Sequence, residues 1–384
     1  MNNTLKHILF IPRWYPHKFD PMFGLFVKKH AEAVAKLNRV SVLYVQGVST
    51  YEKIDRKQTT ETHNLFTQIY YYRNSNCKIW NILRFWYYLI VGFLKIKKAK
   101  GKPNLVHVHI LTRLGIFALL IKSIYNTPYI ITEHWSRYLP VTGSYKGWSR
   151  KLLTKLVVKK ASAVLPVSKT LSQAMQSQGL NNQNYHIVPN VIEDIFFQPI
   201  KNKEKNQTTI FLHVSTFEDK SKNISGILRV IKQLSEKKFD FEFWFVGDGI
   251  DFKAMKNYAK VLSIPENIIR FYGVVEGEKL AEKYHKADYL VMFSNYETFL
   301  IVFFEAMACG LAVITTKVGE LAQYINESNG FLIEPGNEKQ LKSTLENVLV
   351  NKPYFNPLEI KKVSIGYDSA SISKRLDNIY NNCI

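Results

Sequence analysis

The chain has 384 residues, 46% hydrophobic and 22% charged, enough for two domains at roughly 150 residues each and too apolar for a disordered polymer. Its three cysteines, Cys77, Cys309 and Cys383, are odd in number and far apart, which argues against a disulfide framework or a cysteine-based metal site. The formal net charge of +21 is one-sided: residues 1–200 hold 28 Lys and Arg against 8 Asp and Glu, and residues 201–384 hold 24 against 23. The first half alone therefore offers a basic surface to anionic lipid, nucleic acid or phosphorylated substrates.

Short apolar runs alternate with segments of helical period along the whole chain, the pattern of an α/β protein with mainly parallel sheets. The first run, Ile8–Ile11, ends at Pro12-Arg13; it is too short for a secretory leader and reads as a buried strand. A cytoplasmic protein is expected, with the basic half peripheral on the inner face of the cell membrane as a further possibility. Strands are expected at Lys6–Ile11, Arg39–Val45, Gln68–Tyr72, Leu105–His109, Tyr129–Thr132 and Ala163–Pro166, with helices at Phe23–Leu37, Trp80–Lys98, Leu114–Tyr125 and Trp148–Ala161. The longest uninterrupted apolar run, Phe85–Leu94, has ten residues, short of the roughly 20 that span a bilayer, so no transmembrane helix is expected. Trp80–Leu94 followed by "KIKKAKGK" reads equally as a core helix with a solvated end or as a helix resting on a membrane surface.

Around "HIVPNVIEDIFFQPIKNKEKNQ" the pattern lapses into polar residues and proline, a linker. A second series follows, with strands at Thr209–Ser215, Phe241–Gly247, Ile268–Tyr272, Tyr289–Ser294, Ala312–Thr316 and Gly330–Ile333. Helices fall at Ile224–Lys237, Asp251–Leu262, Gly277–Lys286, Ile301–Cys309 and Lys339–Val350. The expected domains are residues 1–195 and 196–365, with 366–384 a helix that packs back on the first domain through Ile372, Leu376 and Tyr380 at fourfold spacing.

The segment "ETFLIVFFEAMACGLAVI" is almost wholly apolar yet carries Glu297 and Glu305. Glu297 falls in the loop after a buried strand and Glu305 about one turn into the next helix, which Gly310 should stop. Carboxylates at that edge of an open α/β sheet suit the hydroxyls of a ribose or a sugar; a general acid and base pair, or a satisfied buried ion, are the alternatives.

"ETFLIVFFEAMACGLAVITTKVGELAQYI" resembles the donor segment of retaining glycosyltransferases of family 4, in which Glu, seven residues and Glu precede Ala-x-Ala-x-Gly-x-Pro-Val. The likeness covers the whole chain. "PRWYPHKFDPMFGLFVKKHAEAVAKL", "NLVHVHI", "ITEHW", "AVLPVSK", "VPNVIE", "WFVGDG", "IRFYGVV" and "NGFLIEPGN" follow in the family's order. The resemblance implies the GT-B fold: two facing Rossmann-like domains, each a mainly parallel sheet with helices on both faces. It also implies transfer of a hexosyl or other sugar from a UDP- or GDP-linked donor with retention of anomeric configuration. The expected acceptor is a lipid-linked saccharide or oligosaccharide in bacterial surface polysaccharide synthesis, of capsule or lipopolysaccharide type.

Carried over by position, Glu305 is similar to the residue that holds the ribose diol, Glu297 to the one that bonds hydroxyls of the moving sugar, and His134 to the residue beside the reacting sugar. The N–H groups of Phe299, Leu300 and Ile301 would meet the sugar and diphosphate. Lys222 would neutralise the diphosphate, the Gly24 N–H would approach a phosphate, and Gly273 and Val274 would line the nucleobase pocket. His134, Lys222 and Glu297 are thus the catalytic candidates. No cofactor and no metal are expected, since the chain has no Asp-x-Asp and the leaving diphosphate can be stabilised by a lysine and a helix N-terminus.

Departures from the family pattern stand at Thr216 (for Arg, and still counted among the donor-binding residues by position), Leu300 (for Gly), Ala312 (for Pro), Asn104 (for Asp) and "VGELAQ" around Gly319. His107 and His109 are read as structural and facing opposite sides of their strand, with one of them reaching the cleft as the lesser alternative, and "GDG" at Gly247 as weak evidence for NAD. A nucleotide-sugar epimerase of the same fold, or a basic nucleic-acid-binding protein, is the alternative function; no nucleic acid is expected on the leading reading.

Overall fold

A computed structural model describes residues 5–49, 55–111, 113–199 and 208–384; part of the expected linker, 200–207, lies outside the described residues. The chain forms two compact units, Met1–Val191 with Ser369–Ile384, and Ile192–Asp368.

The first unit runs β1 (His7–Pro12), α1 (Leu25–Ala35), β2 (Arg39–Val48), β3 (Lys57–Thr62), β4 (Leu65–Arg73), α2 (Lys78–Lys100), β5 (Leu105–His109), α3 (Arg113–Tyr125), β6 (Tyr129–Glu133), α4 (Trp148–Lys160), β7 (Ala163–Pro166) and α5 (Lys169–Ser177). Its seven strands lie in the order β3-β4-β2-β1-β5-β6-β7, parallel except for β3 against β4. Every residue of β1, β5 and β6 is buried, as expected where helices cover both faces of a parallel sheet. The right-handed crossover rule sets those faces: β1–α1–β2 steps one way along the sheet, whereas the connections through α2, α3 and α4 step the other way, so these three helices share the face opposite α1.

Two elements of this unit, β3 and α5, lie outside the strands and helices expected from the sequence. β3, "KQTTET", is polar and largely exposed, an edge strand held by its backbone pairing with β4, by the Tyr71 hydroxyl donating to Gln58 Oε1 and by the Lys100–Glu61 ion pair. α5 begins at Ser168, whose Oγ accepts from the Leu171 N–H, a side-chain cap on a polar segment. In addition, α2 is long and apolar enough to cross a membrane by length and composition. Counting only the uninterrupted run missed this, because Asn81 and Arg84 break it. In the structure α2 is seated on β2 and β4 through Phe85, Leu89, Gly92 and Ile96. A Cβ on Gly92 would come 2.4 Å from the Leu43 side chain, so the glycine lets the helix approach the sheet.

The second unit runs β8 (Thr209–Val214), α6 (Asp219–Lys222), α7 (Ile224–Ser235), β9 (Phe241–Val246), α8 (Phe252–Val261), β10 (Ile269–Phe271), α9 (Gly277–Lys286), β11 (Tyr289–Met292), α10 (Ile301–Ala308), β12 (Ala312–Thr316), β13 (Gly330–Ile333), α11 (Glu338–Asn351) and α12 (Pro357–Lys361). Its sheet is wholly parallel, in the order β10-β9-β8-β11-β12-β13. The chain steps from β8 out to β10, then returns to place β11 on the other side of β8. Such a reversal opens a crevice at the C-terminal ends of the two central strands.

The final helix, α13 (Ser369–Cys383), belongs to the first unit. Ile372, Leu376 and Tyr380 are buried and the helix packs on α1. Lys6 Nζ and Asn38 Nδ2 both donate to the Asp377 carboxylate, at 2.7 and 2.9 Å, and the Tyr380 hydroxyl meets His107 Nδ1 at 2.9 Å.

Candidate functional site

At the reversal point of the second unit the structure joins two residues that lie 75 positions apart. Lys222 closes α6, and Asn223 in the left-handed region (φ 51°) turns the chain into α7. Glu297 lies in the loop after β11. Lys222 Nζ donates to Glu297 Oε1 at 2.5 Å, and Ser294 Oγ donates to the same oxygen at 2.8 Å. Both ends of the pair are largely buried, at 13% and 9% side-chain exposure. A buried ion pair is tolerated when its geometry is good and further hydrogen bonds satisfy its atoms, and the second bond from Ser294 supplies this.

The loops are tied together as well. The Asn295 backbone N–H donates to Ser221 O and its side chain to Lys220 O, which fixes the exit of β11 against the α6 turn. Thr316 Oγ1 donates to Ser294 O at 2.7 Å, and a Cβ on Gly319 would stand 3.2 Å from Glu297 O, so the β12 exit packs on the same loop. The "GDG" glycines serve packing. Gly247, at φ 124°, would put a Cβ 1.9 Å from Ser215 O, and Gly249 would put one 2.6 Å from Phe217 N, which explains both without a dinucleotide. The Gly247 N–H also donates to Gly273 O at 2.7 Å. Gly273 has open space around its missing Cβ, Val274 is 47% exposed, and Thr216 is exposed.

α10 starts at Ile301 with no side-chain cap, leaving first-turn N–H groups for an anion. Leu300 precedes it at φ −87°, ψ 88°, a region open to any L residue, and its side chain is 4% exposed in the core. A leucine therefore stands here without backbone strain, its side chain turned into the unit. Phe299 stacks on Phe304 at 4.8 Å. Glu305, one turn further on, has a different partner from Glu297: Tyr284 Oη donates to its Oε2 at 2.8 Å. Burial of that carboxyl end pushes its pKa up to about 7, against the opposing hydrogen bond from Tyr284, and Glu193 adds to the rise. Since the folded value lies above the ordinary 4.5, this group's contribution to stability falls as pH rises from about 4.5 through 7.

In the first unit, Gly24 caps α1 at φ 70°, where a Cβ would lie 2.4 Å from the Trp14 carbonyl carbon. Gly24→Ala should therefore cost about 1–3 kcal/mol of backbone strain, read as a lower midpoint in thermal unfolding. His134 follows β6, and its Nε2 lies 3.2 Å from His109 Nδ1. His30 Nε2 donates to Pro189 O at 3.0 Å. Burial drives His134 and His109 well below the ordinary imidazole range and His30 to about 4, so the three rings are neutral. Among the described residues these histidines form a group that could hold a metal ion, with ligand atoms within 4.8 Å of one another. His107 and His109 share one side of β5, with ring centroids 4.1 Å apart. This corrects the opposite-face reading, since residues two apart on a strand point the same way.

Glu133, adjacent to His134, was missed. It is fully buried and accepts from the N–H groups of Leu111, His134 and Trp135 at 2.8, 3.0 and 2.9 Å, setting the shape of the loop that carries His134. A charged residue inside the apolar run "YIITE" was the available signal. Ser294 and Tyr284 were missed for want of a motif, and His109, read as structural, stands beside His134.

Comparison with known proteins bears on the family and the fold. Residues 194–360 match the model described as glycosyl transferases group 1, and residues 25–194 match glycosyltransferase family 4. Over 273 residues the chain is 26% identical to an uncharacterized glycosyltransferase of Methanocaldococcus jannaschii, covering 71% of each. It is 24% identical over 221 residues to the lipopolysaccharide 1,6-galactosyltransferase of Escherichia coli, covering 56% of this chain and 59% of that protein. Among solved structures, sucrose-phosphate synthase of Thermosynechococcus elongatus superposes with a TM-score of 0.74 at 18% identity, over 98% of both chains. HepE of Anabaena in complex with UDP and glucose superposes at 0.72 and 14%, over 98% of this chain and 99% of that one.

Proposed function

Because this chain belongs to glycosyltransferase family 4, retaining enzymes of GT-B fold that draw on nucleotide-diphosphate sugars, we propose that it transfers a hexosyl group to a lipid-linked or oligosaccharide acceptor in bacterial surface polysaccharide synthesis. The single observation that carries the reading is the buried Lys222–Glu297 pair at the reversal point of the second sheet. Lys222 neutralises the diphosphate as charge grows on it, and the uncapped start of α10 adds N–H donors. Glu297 takes hydroxyls of the sugar, Glu305 takes the ribose diol, and Gly273 and Val274 border the base. Gly24 and His134 serve the phosphate and the reacting sugar. The sugar C1–phosphate oxygen bond breaks, the acceptor oxygen bonds C1 on the same face, and the departing phosphate takes the acceptor's proton. No carboxylate nucleophile or metal is assigned to that step.

The acceptor rests on the likeness to the Escherichia coli lipopolysaccharide enzyme. The place of action, the cytoplasmic side of the cell membrane, rests on the basic first half. A panel of UDP- and GDP-linked sugars, scored by thermal stabilisation and by slow donor hydrolysis, tests the donor half; if no donor moves the midpoint or is consumed at millimolar concentration, the reading fails. Accumulation of an epimerised nucleotide sugar would favour the alternative.

The state of Glu305 gives a pH dependence. Ribose hydroxyls donate, so nucleotide binding selects the ionised carboxylate and releases a proton. Affinity should fall as pH drops below 7, approaching about tenfold per unit when only the ionised form binds. Calorimetry with a nucleotide sugar across pH 5.5–8.5 checks this, and Glu305→Gln should flatten the profile.

A further inference from the structure

We propose that the helix layer α2–α3–α4 of the first unit is a docking face for an anionic lipid bilayer, with α2 lying in the plane of the interface instead of crossing it. The inference deepens the proposed use of a membrane-held acceptor, and it rests on that reading for its purpose but not for its observations. α2 carries two apolar stripes on opposite sides. One, Phe85, Leu89, Gly92 and Ile96, is buried on the sheet. The other, Ile79, Leu83, Tyr87, Ile90 and Leu94, repeats at spacings of four, four, three and four, and each member is 46–68% exposed. A helix already committed to a sheet on one side has no structural need for a second apolar stripe.

The neighbouring helices repeat the pattern. Leu120 and Ile124 on α3, and Trp148, Leu152 and Leu156 on α4, point outward at fourfold spacing, with Trp148 80% exposed. Phe117 of α3 meets Trp86 and Phe93 of α2, and α3 packs on α4, so the three lie side by side on one face of the sheet.

Charge decides the occupant. α2, α3 and α4 contain six, two and five Lys or Arg, and not one Asp or Glu. Between Glu61 and Glu193 the sole acidic residue is Glu133, which is fully buried. Exposed aromatics and leucines flanked by cations, with no anion among them, match acyl chains below and anionic headgroups above. Seating α2 on β2 and β4 prevents it from spanning the bilayer without dismantling the unit.

The test is flotation of the full chain with vesicles of phosphatidylcholine alone or with about a third phosphatidylglycerol, without nucleotide, at low and high salt. Binding is expected to the anionic vesicles, to weaken several-fold with salt, and to shift tryptophan emission to the blue. A variant with Leu83, Tyr87 and Ile90 changed to Ser should lose at least about tenfold in partitioning. Lys151, Lys155 and Lys159 changed to Glu should lose salt-sensitive binding with the apolar stripes intact. All these positions lie on the helix surface, so unfolding midpoints and donor stabilisation should stay as in the parent, which separates this outcome from failure of the donor reading. The proposal is overturned if anionic vesicles are not bound, if the stripe variant binds like the parent, or if sedimentation shows a dimer that the stripe variant dissolves and vesicles do not compete.

Discussion

Lys222→Met should lower turnover of the cognate donor by about 100- to 1000-fold, the cost of removing one preorganised group that meets charge in the transition state. The same change leaves Glu297 as a buried carboxylate with Ser294 as its remaining partner, and losing one member of a buried pair costs about 3–5 kcal/mol of stability. The two consequences can be separated. Lys222→Met with Glu297→Gln removes both charges and should recover most of the lost stability, while turnover stays as low as in the single variant or lower. Thermal unfolding and initial rates on the single and double variants check this. Recovery of turnover in the double variant would show that Lys222 matters only as a counter-ion to Glu297, and would sink its assignment to the diphosphate.

Glu305→Ala should weaken nucleotide binding by about 10- to 100-fold, since hydrogen bonds to a charged acceptor contribute about 1.5–3 kcal/mol. The loss should appear with the free nucleoside diphosphate as well as with the nucleotide sugar, because the carboxylate is assigned to the ribose. Glu297→Gln should behave in the opposite way, sparing UDP or GDP affinity while depressing turnover. Calorimetry with UDP and GDP discriminates the two glutamates, and unchanged affinity in Glu305→Ala would remove the ribose assignment.

Strands that form short, mainly apolar segments between helical ones were legible: Leu105–His109, Ala163–Pro166, Ala312–Thr316 and Gly330–Ile333 fall where the residues alone put them. β3 was not, because an exposed edge strand of Lys, Gln and Thr has no apolar period to read. Glu297 and Lys222 were each singled out, but their contact spans 75 residues and depends on which strands neighbour β8, a matter of topology and not of local pattern. Leu300 departs from the family's glycine, but its negative φ and buried side chain mean that the turn makes no demand only glycine can meet. The role of Glu133 and the contact of His109 with His134 stayed hidden, because support for His134 comes from a neighbouring strand and from backbone N–H groups, neither of which has a spacing to recognise.

The return of α13 to the first unit has a consequence for the order in which the protein can be completed on the ribosome. Residues 192–368 form a self-contained unit and can fold as soon as they are made. The first unit, although its strands are made earlier, must wait for residues 369–384 before Lys6 and Asn38 find Asp377 and His107 finds Tyr380. His107 lies against His109, and His109 against His134. The surroundings of the residue assigned to the reacting sugar are therefore completed only after the second unit has been made, so a nascent chain gains that unit before α13 closes on the histidine side of β5.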